Sequence, residues 1–304
     1  MKKLNISVIG AGNVGRTITK ELIDQDMSME IDVLDPAPSI EAICSDLKHS
    51  ASYAKKVSLS WNENKLNSAD YIFVCFAEEA TVIGDRLAKA EAHIKACYEI
   101  FDQYKPKENA RIIVITNPVD VITYHVWKAS GLDEQQIIGT GTYLETMRFD
   151  YYLSQIFNKD ISQVRGMLLG EHGNSAVTTY SLTRVEGIDI NNAKDKIDAA
   201  AEQAIEAPYN IRRAGEYTKY AISKCALGIF KALELNEKLY LPAGLILNEK
   251  NQKLLECDAI CLSTPVIIEN GIPNQGDLSL LTTDEISKLK ASAKILMEHS
   301  LNRV

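Results

Sequence analysis

Three short clusters carry the side chains best suited to chemistry: Thr116-Asn117-Pro118-Val119-Asp120, Glu145-Thr146-Met147-Arg148 and Gly170-Glu171-His172-Gly173-Asn174-Ser175. His172 is the one histidine of five lodged between glycines. An imidazole with an ordinary pKa near 6.5 suits a group that gives a proton to a reacting oxygen and later takes one back. Arg148 offers a planar fork that can hold a carboxylate through two parallel hydrogen bonds. Glu145 lies three residues before Arg148, so both project from one face if this stretch is a helix. Each residue also has an ordinary explanation. A lone arginine on a helix is usually solvated, and Asn-Pro is a common turn signal. His49, His93, His125 and His299 read as packed or solvated side chains.

A fourth cluster, Gly10-Ala11-Gly12-Asn13-Val14-Gly15, falls between an apolar run at 5–9 and a helical pattern starting near Asn13. In that setting Gly10 permits a tight turn, Gly12 lets backbone amides approach a pyrophosphate, and Gly15 lets the helix pack on the strand. The helix N-terminus at Asn13 and Val14 brings partial positive charge to the phosphates. Asp35 ends the next apolar run, where a carboxylate can accept hydrogen bonds from both ribose hydroxyls of an adenosine. No arginine follows in Asp35-Pro36-Ala37-Pro38, so the site is expected to take NAD rather than its 2′-phosphorylated form.

The elements that must position these clusters follow from hydrophobic periodicity. Short β-branched runs at 5–9, 30–34, 56–60, 71–76, 111–116 and 135–139 alternate with amphipathic stretches. Such alternation predicts right-handed βαβ crossovers and a parallel sheet. Val14, Ile18 and Leu22 form one apolar helix face, and Leu87, Ala90, Ile94, Cys97 and Phe101 form another. Helical patterns dominate after about residue 140. We therefore expect an α/β protein with a doubly wound parallel sheet at 1–140 and a C-terminal α+β domain at 141–304.

The 304 residues are 46% apolar and 24% charged, the profile of a folded chain with a large core. The balance of 33 Lys+Arg against 41 Asp+Glu leaves a net charge of −8. No basic track interleaved with aromatics suggests nucleic acid as a partner. Six cysteines without metal-ligand or framework spacing read as reduced and structural, and no metal is expected. The first apolar run ends at Gly10, with Arg16 and Lys20 close behind. Neither an export signal nor a membrane span is expected, which points to a cytoplasmic protein.

GAGNVG, TNPVD, GTGTYLETMR and GEHGNS occur in the order found in the lactate/malate dehydrogenase superfamily, which the chain resembles over nearly its whole length. GDR at 84–86, NPVDVIT and LTTDE resemble the L-2-hydroxyisocaproate dehydrogenase branch more than typical lactate dehydrogenases, while 77–86 diverges. The resemblance implies a Rossmann-type NAD-binding domain and NADH-driven reduction of a small 2-oxo acid to an L-2-hydroxy acid. It implies His172 as proton donor, Glu145 as the acid that orients it and Arg148 as the carboxylate clamp. Asn117 would support the reacting oxygen or the nicotinamide. Arg86 would polarise the ketone from a closing loop, and Thr218 would line the pocket. Two features depart from the family. Its orienting acid is usually Asp, so Glu145 adds about 1.5 Å of reach. Ala80, between Glu79 and Thr81, stands where a malate dehydrogenase carries a cation for the distal carboxylate. Alternatives are therefore a malate dehydrogenase and a catalytically weakened NAD-binding protein. The resemblance also implies a homodimer or homotetramer. Arg165 matches one of two basic residues that bind a sugar bisphosphate in some relatives, but Asp150 reverses the other, so such activation is not expected.

Overall fold

Runs of valine, isoleucine and leucine that are apolar on both faces suit parallel strands covered on each side by helices. In the computed structural model, which describes residues 3–54, 56–77 and 88–301, these runs form strands β1 (Leu4–Ile9), β2 (Met29–Leu34), β3 (Val57–Trp61), β4 (Tyr71–Val74), β5 (Arg111–Val114) and β6 (Ile137–Gly139). Parallel pairing places them in the order β3-β2-β1-β4-β5-β6. The connecting helices are α1 (Asn13–Ile23), α2 (Ile40–Tyr53), α3 (Ala88–Gln103) and α4 (Val119–Ser130). Of the two expected faces, Ile18 and Leu22 on α1 are buried while Val14 is half-buried, and Ala90, Ile94, Cys97 and Phe101 on α3 are buried. Leu87 lies outside the described residues.

The remaining elements are α5 (Tyr143–Phe157), β7 (Val164–Arg165), β8 (Leu168–Leu169), β9 (Val177–Thr178), β10 (Arg184–Val185), α6 (Lys194–Arg213), α7 (Tyr220–Glu234), β11 (Leu239–Ile246), α8 (Glu249–Leu255), β12 (Cys261–Glu269), β13 (Ile272–Gln275) and α9 (Thr283–Ser300). Strands β11, β12 and β13 pair antiparallel in that order. Residues 1–139 and 219–231 group as one unit, and 140–218 with 232–304 as the other. The segment 219–231, expected in the C-terminal domain, thus joins the first unit. Its Phe230 is fully buried, edge-on to Tyr71 with ring centroids 4.9 Å apart. In the second unit, Phe149 and Leu153 of α5 bury against Ile197, Ala200, Ala201 and Ala204 of α6. The alanines let the two helix backbones approach closely. All six cysteines are free thiols, and among the described residues no helix is long and apolar enough to cross a membrane.

Asp150 faces inward from α5 and accepts the Gly166 amide proton. Burial pushes its carboxyl up to about 7, with the Gly166 amide and then Arg165 pulling the other way. An unfolded aspartate titrates near 4, so the charge costs folding energy that grows as pH rises from about 4 to 7 and is fully present above that. Asp150→Asn keeps a carbonyl acceptor for Gly166. It is expected to stabilise the protein by about 1–2 kcal/mol near pH 8, and by less than half as much near pH 5. Paired thermal melts check this; an equal gain at both pH values, or a loss at the higher one, contradicts it.

Candidate active site

The glycine-rich turn follows β1, and its helix begins without a side-chain cap or an acidic residue in the first turn. The first amides of α1 are therefore not competed for by a carboxylate of their own helix, as an anion site at a helix N-terminus requires. A Cβ at Gly15 would lie 1.8 Å from the Gly10 carbonyl oxygen, so helix and strand pack as closely as glycine allows. A Cβ at Gly12, by contrast, would meet nothing within 4 Å, leaving space beside the turn for a phosphate. Asp35 sits just beyond β2. Its carboxylate accepts the amide protons of Ala11, at 2.6 Å, and of Ala37, at 2.8 Å. Asn62 holds the Asp35 backbone from both sides, accepting its N–H and donating to its carbonyl at 3.0 Å each. Gly10, Gly12, Asn13, Val14, Gly15 and Asp35 thus gather at the C-terminal ends of β1 and β2, where doubly wound sheets bind nucleotides. These residues fit the pyrophosphate and adenine ribose of NAD.

Asn117 stands in the same unit beyond the end of β5, with its side chain exposed. Its carbonyl accepts a proton from Nδ1 of His93 at 2.7 Å. His93 is buried on α3, edge-on to Phe76. Spacing gives no hint of this contact, because the two residues lie on different crossovers.

In the second unit, Glu145, Arg148 and His172 come together. Nδ1 of His172 is 2.8 Å from Oε2 of Glu145, and Oε1 of the same carboxylate is 3.9 Å from a guanidinium nitrogen of Arg148. The side chains of Glu145, Arg148 and His172 are only 6%, 12% and 13% exposed, so water screens their charges weakly. Burial alone would raise the Glu145 carboxyl. The charge and hydrogen bond of His172, with Arg148 adding to them, more than offset this and hold it below the usual carboxylate value.

With its extra carbon Glu145 still meets His172 at 2.8 Å, and α5 is anchored directly to the strand before His172. Thr142 donates its hydroxyl to the Leu168 carbonyl at 2.6 Å, and Thr146 accepts the Leu168 amide at 3.0 Å. Ser263 of β12 accepts the Thr142 amide at 3.0 Å. Sequence reading missed Thr142, Thr146 and Ser263. Thr142 and Thr146, four residues apart, share one helix face, but nothing in the sequence names Leu168 as their partner.

Thr218 lies half-buried just before α7. Arg86 and Ala80, with the flanking Glu78 and Glu79, lie outside the described residues.

The family described as lactate/malate dehydrogenase, NAD binding domain, matches residues 4–139, and its alpha/beta C-terminal domain counterpart matches 142–302. The L-lactate dehydrogenase 1 of Clostridium acetobutylicum is 30% identical over 98% of this chain and 97% of its own length. The L-lactate dehydrogenase of Clostridium botulinum strain Hall is 31% identical over 99% of this chain and 98% of its own. Among solved structures, the minor L-lactate dehydrogenase of Enterococcus mundtii, in a ligand-bound form, superposes with a TM-score of 0.87 at 26% identity, covering 99% of this chain and 98% of that one. Malate dehydrogenase from Plasmodium falciparum reaches a TM-score of 0.88 at 18% identity over 99% of this chain and 98% of its own, a likeness of fold alone.

Proposed function

The chain belongs to the lactate/malate dehydrogenase family, and we propose that within it the protein reduces monocarboxylic 2-oxo acids, pyruvate or a larger aliphatic one, to L-2-hydroxy acids. It is an NAD-dependent oxidoreductase of hydroxy acids. The observation that carries the reading as a 2-oxo acid reductase is the buried set Glu145, His172 and Arg148, a proton donor and a carboxylate clamp tied to one anion; the choice of a monocarboxylate rests on Ala80.

NADH supplies the hydride. Arg148 binds the substrate carboxylate through its two-pronged fork, which fixes the face presented by the ketone carbon. Glu145 holds Nδ1 of His172 and favours the charged imidazolium. With Nδ1 committed to Glu145, proton transfer to the ketone oxygen falls to Nε2. The new C–H bond takes the hydride electron pair, the C=O π pair becomes the O–H bond, and His172 is left neutral until solvent reprotonates it. In the oxidative direction the neutral imidazole accepts the alcohol proton.

Arg86 is assigned to the ketone oxygen, Asn117 to the ketone oxygen or the nicotinamide, Thr218 to the pocket wall and Ala80 to the substrate tail. For Ala80 the argument is one of charge. The sequence has Ala80, next to Glu78 and Glu79, at the position where the family's malate dehydrogenases carry a cation, so a dicarboxylate would lack its charge partner, and an unpaired charge out of water is costly. An aliphatic tail meets no such penalty.

The test is turnover of the purified protein with pyruvate, 2-oxoisocaproate and oxaloacetate, followed by nicotinamide absorbance with NADH and with NADPH. The best monocarboxylate is expected to exceed oxaloacetate in kcat/KM by at least about tenfold. NADH is expected to exceed NADPH by a similar factor or more, because Asp35 would face the 2′-phosphate. Preference for oxaloacetate sinks the substrate reading, equal use of both nucleotides sinks the role of Asp35, and no turnover with any 2-oxo acid sinks the enzymatic assignment of the site.

A further inference from the structure

We propose that Ser292, on the C-terminal helix α9, is a positioning residue for His172, acting through a closed ring of hydrogen bonds that begins and ends on Glu171. The proposal rests on the reading of His172 as proton donor.

The loop that carries His172 is short of intrinsic order. Gly170 has φ +90°, a left-handed conformation that a side chain would strain, and Gly173 follows His172 directly. Something outside the loop must select one conformation if the imidazole is to meet Glu145 at 2.8 Å. On the entry side, Gly170 exchanges backbone hydrogen bonds with Ser263, at 2.9 and 3.2 Å. On the exit side the partner is Ser292.

The Glu171 amide donates to Oγ of Ser292 at 2.8 Å, across 121 residues of sequence. Oγ of Ser292 lies 3.0 Å from Oγ of Ser175. The Glu171 carboxylate turns back over the loop and accepts from both the hydroxyl and the amide of Ser175. An ionised carboxylate only accepts, so the Ser175 proton is committed to Glu171, and the Ser292 proton is the one shared between the two hydroxyls. The chain of donors therefore runs from the Glu171 amide to Ser292, from Ser292 to Ser175, and from Ser175 to the Glu171 side chain.

The ring is tightly packed. A Cβ at Gly170 would lie 2.7 Å from Oγ of Ser292, and one at Gly173 would lie 2.7 Å from Oε1 of Glu171. Ser292 is completely buried, so removing its hydroxyl leaves the Glu171 amide without its protein acceptor. Residues 171 and 175 are thereby pinned on both sides of His172 while its own side chain stays available for Glu145 and substrate.

The experiment compares Ser292→Ala and Ser175→Ala, each made in the wild-type chain and in His172→Ala. Ser175 is only partly buried, so its variant keeps the test decisive if Ser292→Ala fails to fold. In the wild-type background each is expected to lower kcat about tenfold, because a displacement of well under 1 Å suffices for such a loss. NADH affinity, set in the other unit, should stay unchanged. The pH at which reduction falls to half should move down, because a displaced imidazole loses the carboxylate that favours its charged form. In the His172→Ala background neither variant should lower the residual rate more than about twofold, since the effect passes through the missing group. The same tenfold loss in both backgrounds, or wild-type kcat in the folded single variants, overturns the positioning role alone. Near-normal turnover of His172→Ala by itself overturns the proton-donor reading and this proposal with it.

Discussion

His172→Ala is expected to lower kcat for 2-oxo acid reduction by about 10²–10⁴-fold while leaving NADH binding intact. The size follows from what is removed. The imidazole is the group held against a buried carboxylate, so its charged form is available to the developing alkoxide without reorganisation. The dependence on pH should go with it. In the wild-type protein reduction slows as pH rises through the imidazole titration, and in the variant that fall disappears. The variant also strands the Glu145 charge, which keeps only Arg148 at 3.9 Å among its described charge partners. A drop in thermal stability of about 1–3 kcal/mol should accompany the loss, smaller under acid conditions where Glu145 can take up a proton. Steady-state rates across pH, with a melt on the same samples, separate the two effects. A variant that turns over within threefold of wild type would falsify the assignment of His172.

Arg148→Lys should act on binding more than on chemistry. The substitution keeps the charge and discards the fork, so one of two parallel hydrogen bonds to the substrate carboxylate is lost. A cost of about 1.5–3 kcal/mol corresponds to roughly a 10- to 150-fold rise in KM for the 2-oxo acid. The point charge of lysine still faces Glu145, so the fold should be little affected. An unchanged KM, or a loss confined to kcat, would show that Arg148 serves Glu145 rather than the substrate.

The parallel sheet was legible because strands buried on both faces are written as uninterrupted β-branched runs, and each of the six expected runs forms a strand. The glycine turn and Asp35 were legible for a related reason. Backbone that approaches a strand or a phosphate tolerates few residue types, so the demand shows in the letters themselves. Glu145 and Arg148 were readable through helix spacing. Their junction with His172 was not, since it depends on Thr142 and Thr146 gripping Leu168 more than twenty residues away. His93 beneath Asn117 and Ser292 beneath Glu171 are of the same kind: common polar residues whose importance comes from a partner that tertiary packing alone supplies. The assignment of 219–231 to the first unit escaped notice because the aromatic contact of Phe230 with Tyr71 leaves no periodic trace.

That excursion of the chain bears on how the protein is made. The first unit is interrupted, with residues 140–218 spun out between its main body and the short piece that completes it. On the ribosome the nucleotide-binding half cannot finish when residue 139 emerges, because Phe230 has yet to be synthesised and Tyr71 and Phe73 wait without their aromatic neighbour. By the time residue 231 appears, 140–218 of the other unit has been made and 232–304 is still to come. The two halves therefore mature over the same interval of translation rather than one after the other, and the chain offers no point at which a single cut yields a complete nucleotide-binding unit.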